Sequence, residues 1–291
     1  MAEEVALVGA FDPRLMDGGA EYVGLNRQRK AYRKADPPPT KVKPIPVTLV
    51  EHAVHAHQDT EFRRAVADLL IVGFFFLLRP GEHAYTKENN HPFRLQDVSF
   101  DTSQGTANAV LITPAALQTA IRVHLNFTTQ KNGVPNEAIT HGDTVDCFLS
   151  PMKAVRRRVQ HLRAAGAPPD TPLHAVYLPG GSTLRVASGD LTKALRASCT
   201  AIGASLGLKY SDISARALRA GGAMALLRAN VDSTTLRMVG RWKSWAMLEY
   251  LHRTALTTDD FATRMLTHGR FHITTHEFLP TDVLPLLAGV L

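Results

Sequence analysis

Arg216 and Arg219 stand three residues apart in the stretch Asp212-Ile-Ser-Ala-Arg216-Ala-Leu-Arg219-Ala-Gly221-Gly222. On a helix that spacing puts both on one face. Two guanidinium groups on one face repel each other. A phosphate would relieve the repulsion by accepting their forked donors in a bidentate grip. Tyr250 follows 31 residues after Arg219, on what reads as a separate short helix. A phosphate, two arginines and a phenol are the ingredients of covalent phosphoryl transfer, the tyrosine oxygen attacking while the cations hold the charge that builds on the phosphate. The plainer alternative is a solvated basic helix face and a tyrosine in the core.

Two further positions could join this chemistry. Phe76-Leu-Leu-Arg79-Pro-Gly-Glu82 closes an apolar run. A helix over 61–78 is expected to stop there, because the residue before a proline avoids the helical region. This places Arg79 at the C-terminal end of a buried helix, with Glu82 as its nearest partner. The pair is either a structural ion pair or an arginine held by Glu82 and aimed at a phosphate. Lys131 precedes Asn132-Gly133, a strong hairpin-turn signal, and so falls at the tip of a β-hairpin. It is either an ordinary surface lysine or a proton donor to a leaving oxygen.

The elements that must position these residues read as mainly helical. Helices are expected near 47–60, 61–78, 147–165, 190–206, 213–228 and 232–240, followed by one capped by Ser244 that carries Tyr250, and a last element near 259–267. Between the second and third of these lie short strands at 98–100, 109–112 and 121–127, so the fold class is α+β: mainly α with a small antiparallel sheet. Val155-Arg-Arg-Arg158-Val-Gln-His-Leu-Arg163 carries a basic stripe beside an apolar one, either solvated or facing phosphates. Residues 1–46 read as a basic arm, dense in Arg27, Arg29, Lys30, Arg33 and Lys34, followed by a proline-rich linker. The main domain is placed at 47–270 and an apolar tail at 271–291.

Composition narrows the function classes. The 291 residues carry a formal net charge of +7 and are 45% hydrophobic and 20% charged. That is ordinary for a globular chain and favours an anionic partner, nucleic acid first. Two cysteines, Cys147 and Cys199, lie far apart in no metal-type spacing, against a disulfide scaffold or a zinc site. The longest apolar run, 69–78, is too short to span a bilayer, and the first residues lack a secretory signal pattern. Glu51-His-Ala-Val-His55-Ala-His57 has its glutamate on the wrong side for a zinc-protease motif. His268, His272 and His276 lie on a stretch with weak helix character. Neither is read as a metal site, and without a glycine-rich phosphate loop no nucleotide cofactor is expected.

Taken in order, these boxes resemble the tyrosine recombinase (phage integrase) family over about residues 45–255, with wording closest to recombinases of eukaryotic mobile elements of the Crypton-like kind. Arg79-Pro-Gly-Glu82 matches the family's first arginine box, and Lys131 its hairpin lysine. Arg216-Ala-Leu-Arg219 matches the His-x-x-Arg box, Gly240-Arg-Trp242 the following glycine box, and Tyr250-Leu-His252 the nucleophile with its trailing histidine. The resemblance implies metal-independent cleavage and rejoining of double-stranded DNA through a 3′-phosphotyrosine. Arg79, Lys131, Arg216, Arg219, Trp242 and Tyr250 would be catalytic, with Glu82 and His252 in support. It also implies a homo-oligomer, a tetramer on paired sites, located in the nucleus if the host is eukaryotic and otherwise in the cytoplasm or nucleoid. Two departures point to an alternative, a DNA-binding protein that keeps the fold with impaired catalysis. Arg216 stands where the family has a histidine, and arginine cannot act as a base. About 45 residues before the catalytic part are too few for the family's DNA-clamping domain.

Overall fold

A computed structural model describes residues 43–87, 91–128, 137–144, 148–229 and 231–242. Lys131, Tyr250, His252, the basic arm and the apolar tail lie outside the described residues.

The fold is built on one buried helix. Helix α1 spans Val47–His55 and α2 spans Glu61–Phe75. The hydroxyl of Thr60 accepts from the backbone N–H of Arg63 and caps the start of α2. From Ala65 to Phe74 every residue of α2 is buried, as expected of a helix apolar on all sides. Helix α3 (Pro80–His83), α4 (Pro114–Gln118), α5 (Pro151–Ala164), α6 (Ser188–Ile202), α7 (Ala217–Arg228) and α8 (Ser233–Val239) complete the described helices. α2 packs against α1, α5, α6 and α7. Strands β1 (Val98–Thr102), β2 (Gly105–Asn108), β3 (Arg122–Phe127) and β4 (Glu137–Gly142) form an antiparallel sheet in the order β2-β1-β3-β4. β5 (Ala175–Tyr177) and β6 (Thr183–Arg185) form a separate hairpin. The chain is thus mainly α with a small antiparallel sheet, as the periodicity indicates.

Three expectations are corrected. Residues 109–112 are not a strand: β2 ends at Asn108, whose side chain accepts from Val110 N–H at 2.9 Å and turns the chain toward α4. α2 ends at Phe75 rather than at Leu78. Leu77 adopts φ 52°, so the chain has left the helix before the proline, and Arg79 becomes the N-cap residue of α3. Leu77 turns this way to bury its side chain in a small second core with Ala223 and Leu236. Third, the arginines of the α5 stripe are each bonded to other parts of the fold rather than forming a plain solvated or phosphate-facing surface. Arg158 is 1% exposed and donates to the carbonyls of Leu173 and Ala175. Arg157 pairs with buried Asp68 on α2. Arg156 and Arg163 donate to the Gln118 and Ile112 carbonyls. These arginines staple α5 to its neighbours. Burial pushes Asp68 up to about 6 while Arg157 pulls against it.

Two glycines set how α7 approaches α2. A Cβ on Gly222 would lie 2.2 Å from the Phe74 carbonyl oxygen, and one on Gly221 would lie 2.2 Å from that of Ile45. Only hydrogen fits in either place. The glycine pair read beside the arginine box therefore seats α7 directly on the last turn of α2.

Candidate active site

The carbonyls of Phe75, Phe76 and Leu77, at and just beyond the end of α2, have no partners within the helix and must find them elsewhere. They find side chains from two distant segments. His141 on β4 reaches the Phe75 carbonyl through Nε2 at 3.0 Å. Burial holds this imidazole below its usual range, and because a carbonyl can only accept, Nε2–H is the donor. Arg241 donates to the Phe76 carbonyl at 3.3 Å and to that of Leu77 at 3.2 Å. A guanidinium suits this end, where the helix dipole is negative.

Glu82 gathers the rest. Its Oε2 accepts from the backbone N–H of Arg79 at 2.8 Å and from Nη2 of Arg241 at 2.9 Å, while Oε1 accepts from Nη1 of Arg79 at 3.1 Å. The carboxylate is thus shared between two arginines. Of these, Arg79 keeps a side chain 37% exposed, and Arg241 is buried. His83 fixes the same corner from beneath. Its Nδ1 lies 3.0 Å from the Arg79 carbonyl, and its ring fills the notch that Gly73 leaves open, where a Cβ would lie 2.5 Å from Nε2. Burial pushes His83 down to about 4, so the ring is neutral and Nδ1–H donates.

Arg219 enters from the other side. It is buried on α7 and donates through Nη2 to the carbonyl of Gly240. Its guanidinium also lies 4.7 Å over the ring of Trp242. Each member of the Gly240-Arg-Trp242 box therefore has a physical role. Gly240 gives the indole room to fold back, since a Cβ there would lie within 1.6 Å of it. Trp242 covers Arg219, and Arg241 reaches Glu82. α8, which leads into this box, is capped by Asp232 accepting from Thr235 N–H at 2.8 Å and ends at Gly240, as its sequence signals indicate.

Arg79, Glu82, Arg219 and Trp242 thus meet around the segment 240–242. Arg216, the N-cap residue of α7, is exposed, whereas Arg219 one turn later is buried. β3 and β4 pair antiparallel down to Phe127↔Glu137, so Lys131 lies on the connection between two adjacent strands, itself outside the described residues. Tyr250 and His252 also lie outside them. Sequence reasoning missed Arg241, His83 and His141. Arg241 was visible only as the middle letter of a box, and nothing local marks its hydrogen-bond partners, which lie more than 150 residues earlier.

No family model matches the chain, and no curated protein matches it. Among solved structures, it is similar to the XerH site-specific recombinase bound to its difH substrate, with a TM-score of 0.49 and 12% identity, covering 92% of this chain and 64% of that one. It is similar to the Tn1549 transposon integrase in complex with transposon right end DNA, with a TM-score of 0.44 and 13% identity over 81% of this chain and 69% of that one. The same integrase with circular intermediate DNA gives a TM-score of 0.42 and 15% identity over 91% and 83%.

Proposed function

We propose that this protein is a site-specific DNA recombinase of the tyrosine type. The observation that carries the reading is the meeting of Arg79 and Arg219 at one three-residue segment: Arg219 bonds the Gly240 carbonyl, and Arg79 shares Glu82 with Arg241. The chain then runs eight residues from Trp242 to Tyr250. Two arginines from distant helices and a phenol a short segment away suit a single phosphodiester.

In this reading the Tyr250 oxygen attacks the phosphorus in line. A phosphorus–oxygen bond to tyrosine forms as the bond to the 5′ oxygen breaks, leaving a 3′-phosphotyrosine. The phenolic proton goes to solvent or a nearby base, and Lys131 gives a proton to the departing 5′ oxygen. Arg79 and Arg219 hold the non-bridging oxygens, whose charge grows in the transition state. The phosphoester energy is kept in the new bond, so a 5′ hydroxyl from another strand reverses the step. Exchange between two duplexes requires several copies of the chain on paired sites.

A second reading, DNA binding without strand transfer, is favoured by Arg216 where a proton-shuttling histidine would serve. A nicked suicide duplex separates the two. The recombinase reading expects a protein–DNA adduct that survives denaturant and is abolished in Tyr250→Phe. Salt-sensitive duplex binding with no adduct supports the second reading instead.

A further inference from the structure

We propose that Arg241 is the positioning residue that holds three site-bearing segments in mutual register: the Arg79 turn, the base of the Lys131 hairpin and the approach to Tyr250. The proposal rests on the recombinase reading for its catalytic consequence, though not for the geometry behind it.

Arg241 touches all three segments. Its guanidinium is bound to Glu82, which holds Arg79 by both side chain and backbone. It lies 4.1 Å over the ring of Phe127, the last residue of β3. Phe127 pairs with Glu137, the first residue of β4, whose charge also acts on Arg241. Those two residues form the base from which the Lys131 connection springs. The backbone of Arg241 itself belongs to the strip that continues toward Tyr250.

The backbone supports the same reading. Among the described residues, Leu77 and Arg241 are the non-glycine positions with left-handed φ, at 52° and 55°. They are bonded to each other, Arg241 Nη2 to the Leu77 carbonyl at 3.2 Å. Left-handed conformations are costly for residues with a Cβ and persist where surroundings over-determine them. Here one guanidinium, with a side chain 3% exposed, fastens both strained turns. Its planar fork makes bonds to two carbonyls and a carboxylate together, and a lysine ammonium cannot reproduce that geometry.

Arg241 therefore acts on the phosphate through Arg79 and the hairpin rather than by contact. Its loss should damage the transition state more than duplex binding. In Arg241→Lys, adduct formation on the nicked suicide duplex should slow about 100-fold, the scale of an ångström misplacement. Duplex affinity should stay within about threefold of the parent. In Arg241→Ala, millimolar guanidinium should restore part of the rate and ammonium should not. Combining Arg241→Lys with Glu82→Gln should cost little more than either change alone, because both act through one contact. An Arg241→Lys variant at parental rate, or one losing duplex affinity as steeply as cleavage, overturns the proposal.

Hydrogen exchange reads the geometry without catalysis. Arg241→Lys should speed exchange at 76–82 and 137–142 together while leaving α5 unchanged. Uniform or unchanged exchange overturns the register role even if the parent protein forms no adduct. Absence of a parental adduct alongside the expected exchange pattern counts against the recombinase reading and leaves the register role standing.

Discussion

The clearest physical test concerns His83, the neutral imidazole that holds the Arg79 carbonyl. Its folded pKa of about 4 lies below the ordinary 6.5 because burial disfavours the charged ring. Above pH 6.5 the ring is neutral in both folded and unfolded chains and adds no pH dependence. As pH falls from 6.5 toward 4, the unfolded chain takes up a proton that the fold refuses, so stability declines through that window. Two and a half pH units at about 1.4 kcal/mol each amount to about 3.5 kcal/mol once pH is below 4. That is a large share of the 5–15 kcal/mol typical of a domain, roughly speaking. Asp68 works in the opposite sense. Its folded pKa of about 6 exceeds 3.8, so the fold gains a proton and stability as pH falls through the same range. The whole-protein pH curve therefore mixes the two, and only a substitution isolates the histidine. In His83→Asn the side-chain amide can replace Nδ1–H toward the Arg79 carbonyl but does not titrate. Urea unfolding should find His83→Asn less stable than the parent at pH 7.5, because the ring no longer fills the space beside Gly73. By pH 4.5 the gap should narrow by about 2 kcal/mol or reverse. Parallel curves for the two proteins across this range would show that His83 is not held neutral, and the reasoning would fail.

Two more predictions concern the framework. Gly222→Ala should cost about 1–3 kcal/mol, because its Cβ meets the backbone oxygen of Phe74, which cannot move aside as a side-chain tip could. Gly189→Ala on α6, where a Cβ meets nothing within 4 Å, should be neutral or stabilising by about 0.5–1 kcal/mol, and thermal melts of both variants decide whether close approach is what requires Gly222. Arg158→Met should lose about 3 kcal/mol in urea unfolding, since the carbonyls of Leu173 and Ala175 would be left buried without their donor. A variant as stable as the parent would mean that water or a neighbour replaces the guanidinium.

The sequence by itself determined what depends on near neighbours. Helix α2 was legible from its unbroken apolar run, α8 from the Asp232 cap and Gly240 stop, and β3 from its β-rich stretch followed by a turn signal, whereas its partner β4 was not. The patterns that carry the proposed site were legible too, because Arg79-Pro-Gly-Glu82, Arg216-Ala-Leu-Arg219 and Gly240-Arg-Trp242 are short local stretches. The same local view misjudged 109–112, where Asn108 turns the chain although its apolar residues suit a strand. It also carried α2 on to the proline, because nothing near Leu77 announces the second core that pulls it out of the helix.

Tertiary structure decided how each arginine is engaged. The α5 stripe has the composition of a phosphate-binding face, yet its members are spent on carbonyls and on Asp68 brought from elsewhere in the chain. Arg241, one letter among many, became the group that joins Glu82, Phe127 and the end of α2. A guanidinium's role is set by the acceptors around it, and those acceptors can lie 15 residues away, as Leu173 does from Arg158, or 159, as Glu82 does from Arg241. Sequence spacing fixes only which groups can be offered; burial and the carbonyls and carboxylates nearby settle what each one bonds.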